Sequence, residues 1–586
     1  MDGKQQLHEA MAACRRAYIG VGAFSLCINA LMLASPIYMM QVYDRVIATG
    51  NIDTLVLLTL MVVASLAVLA TLEGLRGRVM TRVANWLDRR LAPVVLSGAV
   101  AETIRSHGVP SAQGLRDLAT VRGYIGGQGV FPLFDAPWVP VFLFVIFLVH
   151  PMLGWVSVAG AVALFALALA NEFTTRRPLS QASGAASRAL NQADAAVRNA
   201  DVIAAMGMLP ALVARWRDGA EKALVLQTRA SDMGGIVTSA AKFVRLLLQV
   251  AILGVGAYYV IAHEMTGGAM IAASIIMGRA LAPVEQLIAA WRSFVGARTA
   301  YSRLAGLIER APPLGGRMTL PAPEGRIEVD RVSFAPQGVR EPILKQVSFA
   351  LAPGEALGLI GPSAAGKTTL VRLLVGSLLP SAGHVRLDGA DVAGWDLADR
   401  GRHIGYLPQM IELFAGSVRD NIARLGEAED AAVVEAARLA GAHDLILGLP
   451  QGYDTPIGDG GVPISGGQRQ RIGLARAVFG NPRLVVLDEP NSHLDAAGEQ
   501  ALVEAVVGLK KAGATIVLIA QRAGVMAQMD KILLLRAGAV EAFGPRDEIL
   551  AKLGLPVAAV GAGARPSGPP AALRAAPPPV QPGNAP

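Results

Sequence analysis

Six apolar stretches lie in the first half of the chain, and they constrain its fold more than any other feature. Each has about the 20 residues that an α-helix needs to cross the hydrocarbon core of a bilayer. Helices suit this task because lipid offers no hydrogen-bond partners to backbone groups. The alternative is a large soluble core, which would have to bury six such runs in one half of the molecule. The stretches lie at about 18–40, 54–72, 131–149, 152–170, 244–262 and 269–287.

Composition supports a membrane location for part of the chain. Of the 586 residues, 53% are hydrophobic and only 17% are charged, whereas soluble proteins carry about 25% charged residues. The length also predicts at least two domains. The formal net charge of +8 is explained by arginines that flank membrane spans, so no nucleic-acid partner is predicted. The polar N-terminus does not favour a cleaved signal peptide.

The distribution of basic residues predicts the orientation of the spans. The segment 73–130 carries eight Arg, and the segment 171–242 carries seven Arg and two Lys. The three loops on the opposite side hold one Arg, Arg45, and no Lys. Basic residues favour the cytoplasmic side. We therefore expect both long loops and both termini to be cytoplasmic, with the loops continuing the spans as helices.

Some charged residues lie in or beside the spans. Arg279 and Glu285 lie in the sixth span, and Asp135 opens the third. An intramembrane charge usually faces an aqueous cavity or an oppositely charged partner. The first two residues therefore indicate either a wall of the substrate path or a structural contact, which is an ion pair between helices or a polar contact at a dimer seam. Asp135 is expected to be an interfacial anchor.

After about residue 312, short β-rich runs alternate with helical ones. The most informative feature of this second half is a glycine-rich loop. It follows the apolar run ALGLI and precedes TTLVRLLVG, the strand–loop–helix context of a phosphate-binding loop. Lys367 is expected to reach the β- and γ-phosphates of ATP, and Thr368 to bind Mg²⁺. The predicted cofactor-binding residues of this loop are Gly361, Pro362, Ser363, Ala364, Ala365, Gly366, Lys367, Thr368 and Thr369.

Two further motifs complete the predicted site. The apolar run 484–487 ends in Asp488 and Glu489, which predicts a Mg²⁺ ligand followed by a general base for the attacking water. Between the two phosphate-site motifs lies a serine at a helix start, and such a helix end binds anions. Two copies of the chain can then face each other and sandwich ATP. The predicted residues of this second end are Ser465, Gly466, Gly467 and Gln468.

Together these motifs resemble those of an ABC exporter half-transporter. Residues 361–368 match the Walker A loop, 484–489 the Walker B strand, and 464–468 the ABC signature with Ile464 in place of the usual leucine. Gln409 matches the Q-loop glutamine and Asp495 the D-loop aspartate. The resemblance implies that Gln409 takes part in catalysis and metal binding and that Asp495 contributes to the nucleotide site.

The fold implied is that of a multidomain membrane protein. An all-α transmembrane domain of six helices over 1–312 is followed by an α/β P-loop NTPase, the ABC nucleotide-binding domain, over 313–555. Residues 556–586, rich in proline and alanine, are predicted to be a disordered tail.

Within the ABC exporters, the chain resembles the protease-secretion branch of type I secretion systems. The similarity lies in FDAPWVPVF, AVRNADVIAAMGM, MIAASIIMGRALAPVEQ and GPSAAGKTTL. It implies a homodimer in a Gram-negative inner membrane, a periplasmic adaptor, an outer-membrane channel and export of an unfolded polypeptide with a C-terminal signal. The alternatives are an exporter of lipid or small molecules and a weakly hydrolysing regulatory ATP-binding protein.

Two positions depart from the family pattern. Gln521 occupies the place of the usual switch histidine; it can donate a hydrogen bond but cannot become a cation. Its expected role is catalytic, with slower hydrolysis or greater dependence on Glu489. Pro336 stands where many members stack adenine on an aromatic residue, so adenine is expected to rest on Pro336 or on Phe334.

Overall fold

The computed structural model describes residues 3–106, 112–311, 320–336, 339, 341–458, 460–492, 494–519 and 523–552. The chain divides into two compact units, Met1–Leu314 and Gly315–Pro586. The predicted tail, 556–586, lies outside the described residues.

The described part of the first unit is helical. Several helices are broken by short turns of π or 3₁₀ geometry, at Val42–Val46, Gln128–Val130 and Ala136–Trp138. The α-helices are α1 Gly3–Leu31, α2 Ala34–Gln41, α3 Ile47–Thr49, α4 Ile52–Ser106, α5 Gln113–Ile125, α6 Phe131–Asp135, α7 Val139–Val149, α8 Pro151–Arg198, α9 Ala200–Ala205, α10 Leu209–Ile261 and α11 Gly267–Arg310.

Within the described residues, six helical segments are long and apolar enough to cross a membrane, and each overlaps one predicted stretch. They are His8–Thr49, Ile52–Ile104, Gln128–Val149, Pro151–Arg198, Leu209–Ile261 and Gly267–Arg310. The expectation that the loops continue the spans as helices is confirmed. Helices α4, α8 and α10 have 55, 48 and 53 residues, roughly 70–80 Å at 1.5 Å per residue, far more than a bilayer needs.

A buried polar cluster joins α1, α4 and α6. The guanidinium Nη1 of Arg76 lies 2.8 Å from Asp135 Oδ1, and the two side chains are 8% and 14% exposed. Ser25 and Asn29 of α1 also donate hydrogen bonds to this carboxylate, and Arg76 lies over the ring of Phe131 at 4.4 Å. The expectation that Asp135 is an interfacial anchor is therefore wrong, because its charge is neutralised inside the helical unit.

A second ion pair joins α10 to α11. Arg245 Nε lies 2.8 Å from Glu285 Oε2. For Glu285, the expected ion pair between helices is therefore confirmed. Both alternatives stay open for Arg279.

The described part of the second unit is an α/β domain with three sheets. A six-stranded sheet has the order β12-β11-β3-β10-β9-β6, a four-stranded sheet the order β2-β1-β4-β5, and β7 pairs with β8. The strands are β1 Ile327–Phe334, β2 Leu344–Leu351, β3 Ala356–Ile360, β4 Ala382–Leu387, β5 Ala390–Asp391, β6 Ile404–Leu407, β7 Gly416–Ser417, β8 Pro456–Ile457, β9 Leu484–Asp488, β10 Thr515–Ile519, β11 Lys531–Arg536 and β12 Ala539–Pro545. The helices are α12 Lys367–Leu374, α13 Leu397–His403, α14 Val418–Ile422, α15 Asp430–Leu439, α16 His443–Leu447, α17 Gly466–Val478, α18 Ala496–Lys511, α19 Ala523–Met526 and α20 Arg546–Lys552.

Parallel pairing in the six-stranded sheet positions the site. Strand β10 pairs in parallel with both β3 and β9, and these strands are almost wholly buried. The carboxyl ends of parallel strands meet at one edge of a sheet, where ligands bind in open α/β folds. The loop after β3 and the acids after β9 therefore lie at the same edge.

Candidate active site

The loop between β3 and α12 has a backbone that only certain residues tolerate. Gly361 has φ +152°, and a Cβ there would lie 2.2 Å from the carbonyl oxygen of Leu535. Gly366 has φ +96° and Ala364 has φ +64°. Pro362, Ser363 and Ala364 are exposed, whereas Ala365 is buried. Such a curled backbone directs successive N–H groups into an anion-binding concavity at the start of α12.

The side chain of Lys367 is held at this loop. Its ammonium Nζ donates to the carbonyl oxygens of Gly361 and Pro362, at 2.8 and 2.9 Å, and the residue is only 8% exposed. The two bonds place a positive charge beside the N–H groups of the loop. The neighbouring Thr369 lies in the first turn of α12 and is half-buried.

Asp488 has the properties of a ligand for a divalent cation. The residue is 1% exposed, and its Oδ1 lies 3.5 Å from the hydroxyl of Thr368. Among the described residues, its buried Oδ2 has no hydrogen-bond partner. Burial raises the pKa of Asp488, and the Thr368 hydroxyl and the charges of Arg372 and Lys367 oppose this rise. A buried carboxylate oxygen beside a hydroxyl fits the oxygen chemistry of Mg²⁺.

Glu489 is held in position by Gln409. The amide Nε2 of Gln409 donates to Oε2 of Glu489 at 2.9 Å, across a sequence separation of 80 residues. The backbone of Glu489 has φ +51°, an unusual value for a residue with a side chain, and its N–H donates to the carbonyl of Ile519. This hydrogen bond fixes the orientation of the carboxylate, and the predicted role of Glu489 as a base stays a prediction. The predicted metal contact of Gln409 stays a prediction.

The second anion-binding end is the start of α17. Ser465 caps the helix by accepting from the N–H of Gln468 at 3.2 Å, and Gln468 Oε1 accepts from the N–H of Ser465 at 2.8 Å. This reciprocal capping fixes the first turn, which includes Gly466 and Gly467. Ser465 and Gly466 are exposed, so this helix end is accessible to a phosphate.

Gln470 is a site residue that sequence reasoning missed. It is 3% exposed, and its amide Nε2 donates to the carbonyl of Pro490 at 2.6 Å. This bond ties α17 to the turn that carries Glu489. One feature of the sequence indicated its burial. Gln470 lies one helical turn before apolar residues of α17 and shares their face of the helix, whereas the charged neighbour Arg469 lies on another face.

Asp495 is joined to the same helix. It caps α18 by accepting from the N–H of Gly498 at 2.8 Å, and Arg471 of α17 lies 3.2 Å from its carboxylate. The bond from Gly498 lowers the pKa of Asp495, and Arg471 lowers it further. Its contribution to nucleotide binding stays a prediction.

The structure excludes one of the two residues expected to contact adenine. Phe334 is 5% exposed and packs into the core between the sheets, so the expectation that adenine could rest on its ring is wrong. Pro336 is half-buried, and its contact with adenine stays a prediction. The predicted catalytic residue Gln521 lies outside the described residues.

Comparison with known proteins covers both units. The ABC transporter transmembrane region family matches residues 18–282, and the ABC transporter family matches residues 344–492. A bacterial Atm1-family ABC exporter with ATP bound has the same fold, with a TM-score of 0.80, 23% identity, and coverage of 92% of this chain and 98% of that one.

The relatives are secretion proteins. The type I secretion system ATP-binding protein PrsD of Rhizobium meliloti is 40% identical over 93% of this chain and 94% of its own length. The cyclolysin secretion/processing ATP-binding protein CyaB of Bordetella pertussis is 32% identical over 91% of this chain and 75% of its own. The leukotoxin translocation ATP-binding protein LktB of Mannheimia haemolytica is 28% identical over 92% and 77%.

The predicted family, fold and ATP-driven activity are thereby confirmed. The chain carries a multi-pass membrane unit and an ATP-hydrolysing unit in one polypeptide, and relatives of nearly the same extent serve type I secretion. The chain belongs to the ABC exporters and, among them, to the ATP-binding proteins of type I secretion systems.

Proposed function

We propose that two copies of this chain form a homodimer in the inner membrane of a Gram-negative cell and export an unfolded polypeptide with a C-terminal signal. A periplasmic adaptor and an outer-membrane channel complete the route. The observation that carries the proposal is the 40% identity to PrsD, which extends over nearly the whole of both chains. The excess of arginine in segments 73–130 and 171–242 supports a cytoplasmic location for the ATP-binding unit and both termini.

The phosphates of ATP bind to the loop 361–366 and to Lys367. The N–H groups of the loop and the ammonium supply positive charge where the γ-phosphoryl group gains negative charge. Thr368 and Asp488 would hold Mg²⁺, with Gln409 as a further ligand. When bound, the ion neutralises charge on the β- and γ-phosphate oxygens.

Glu489 acts on the water that attacks the γ-phosphorus. Its carboxylate orients the water and accepts a proton as the new P–O bond forms. The bond between the γ-phosphorus and the bridging oxygen breaks, and its electron pair stays on ADP. Gln409 keeps the carboxylate aligned through its 2.9 Å hydrogen bond.

Each ATP lies between two subunits. Lys367 of one copy and the exposed helix end at Ser465 of the other bind the same triphosphate, because both are anion-binding helix starts. Binding of ATP therefore draws the two ATP-binding units together, and hydrolysis releases them. This cycle supplies the work for export.

Secretion into the medium tests the proposal. The chain is co-expressed with its adaptor, its channel and each secreted protein that is encoded beside it, and the medium is assayed for that protein. We expect secretion that Lys367→Ala abolishes. Secretion that is unchanged by Lys367→Ala would refute the proposal. The proposal would also be refuted if none of the neighbouring proteins is secreted and lipid stimulates the ATPase.

A further inference from the structure

Helices α8, α10 and α11 flank a polar cleft in the membrane unit. It consists of a cavity of about 240 Å³ and an adjoining one of about 150 Å³. Leu179 and Arg292 line both cavities, so the two lie side by side.

Two buried polar atoms in the wall of this cleft have no hydrogen-bond partner within the described ranges. One is Oδ1 of Asn171, a residue that is only 2% exposed, and the other is the indole Nε1 of Trp291. Asn171 Oδ1 lies 4.0 Å from the position that a Cβ would take on Gly234, on the opposite side of the cleft. Buried polar groups are nearly always hydrogen-bonded, so this acceptor and this donor point to a ligand.

Further polar groups lie along the rest of the lining, beside apolar residues such as Leu179 and Val295. Hydroxyls and amides from all three helices line the cleft, and Arg292 is the charged residue in the lining among the residues described. Pockets for lipids or small apolar molecules have predominantly apolar walls. Groups that both donate and accept instead match a peptide amide, which offers one N–H and one C=O. The uncharged hydroxyl and amide members are Asn171, Thr175, Ser183, Gln227, Ser231, Thr238 and Thr299.

The position and length of the cleft suit an extended chain. Asn171, Thr238 and Trp291 lie just beyond the predicted ends of their spans at 170, 244 and 287, on the side of the arginine-rich loops. Along α8 the lining runs from Asn171 to Ala186, roughly 22 Å at 1.5 Å per residue. About seven residues of extended polypeptide cover that distance.

We infer that this cleft binds the backbone of the exported polypeptide where that polypeptide enters the membrane unit. Asn171 accepts a hydrogen bond from a peptide N–H, and Trp291 donates one to a peptide carbonyl. Backbone recognition serves an exporter because successive segments of a cargo share the backbone and differ in side chains. The inference rests on the proposed export of polypeptides, and it identifies the residues that bind the polypeptide at its entry.

Peptides with and without N–H groups test this contact. The probes are a fluorescent peptide of glycine, serine and threonine, long enough to fill the cleft, and the same peptide with N-methylated amides. Binding to the full-length protein in lipid nanodiscs is measured by anisotropy. We expect the parent to bind the unmodified peptide about 10-fold more tightly, since N-methylation removes a buried hydrogen bond.

Variants assign the two hydrogen bonds. Asn171→Leu should remove most of the preference for the unmodified peptide, because the acceptor is lost. Trp291→Phe should weaken both peptides, because N-methylation leaves the carbonyl intact. Asn191→Leu makes the same change at an exposed position of α8 and should leave both affinities unchanged. Thermal unfolding and gel filtration establish that each variant is folded.

Each outcome decides the inference. A parent that does not distinguish the peptides, or an Asn171→Leu protein that keeps the preference, overturns it. If Asn171→Leu does not fold, Trp291→Phe decides, and parental affinity in that variant overturns the inference. If the parent binds neither peptide but secretion into the medium continues, the inference alone is overturned. If secretion is absent, the proposed function is overturned.

Discussion

Glu489 combines an unusual backbone with a directed side chain. Its φ of +51° is costly for a residue other than glycine, and such costs concentrate at functional sites. The turn brings the carboxylate to the amide of Gln409, 2.9 Å away. The carboxylate that we propose as the general base is thereby held in one orientation, one position beyond Asp488.

Glu489→Gln should abolish turnover and leave ATP binding intact. The amide has nearly the same shape but cannot accept the proton, so we expect hydrolysis to fall by roughly 10²–10⁴-fold. Steady-state phosphate release and equilibrium binding of ATP measure the two properties. Hydrolysis at the parental rate would contradict the role of Glu489.

Gln470→Met should destabilise the ATP-binding unit and slow hydrolysis. Methionine keeps the volume but leaves the buried carbonyl of Pro490 without the donor that lies 2.6 Å away. An unsatisfied buried carbonyl costs about 1–3 kcal/mol, and the turn that carries Glu489 loses its tie to α17. Thermal unfolding and ATPase rate measure the effect. Gln500→Met, at an exposed position of α18, is the control and should change neither.

At the scale of the elements, buried charges join helices that are far apart in sequence. Asp135 is the last residue of α6, and its partners Arg76 and Ser25 lie on α4 and α1, 59 and 110 residues away. Removal of one partner of a buried ion pair leaves a buried charge uncompensated. The cluster therefore specifies how these three helices pack.

Asp135→Asn should destabilise the membrane unit by about 3–5 kcal/mol, because Arg76 is then buried without a counter-ion. Thermal unfolding in detergent is the measurement. The matched control is Asp88→Asn, which breaks a pair with Arg122 whose side chains are 27% and 46% exposed; exposed pairs contribute about 1 kcal/mol or less. Equal effects of the two substitutions would show that the cluster does not stabilise the unit.

At the scale of the whole molecule, the proposed ATP site belongs to two chains. The phosphate loop with Lys367 and the capped helix end at Ser465 are separate anion-binding helix starts in one unit. In a symmetric pair, each site takes one end from each subunit.

Two inactive variants should therefore complement each other. Lys367→Ala and Ser465→Arg each damage both sites of their own homodimer. A mixed dimer keeps one intact site, so random mixing leaves about a quarter of the sites intact. ATPase activity of the co-expressed, co-purified mixture should exceed that of either variant alone. A mixture with no more activity than its components would contradict the shared site.

The sequence by itself determined what depends on local properties. Hydropathy over a single helix length located the six spans, and the motif from Gly361 to Thr368 specified its loop because the glycines and the lysine act within one turn of backbone. The apolar run 484–487 likewise indicated a core strand, which ends at Asp488 with Glu489 directly after it.

Only the tertiary structure decided which distant side chains meet. The pairing of Gln409 with Glu489, the tie from Gln470 to Pro490 and the ion pair of Asp135 with Arg76 each join different elements. The burial of Phe334 and the cleft beside Asn171 also arise from packing between elements. The physical reason is that hydropathy and backbone preference act between neighbours in the chain, whereas the partner of a polar side chain is set by how whole helices and strands pack.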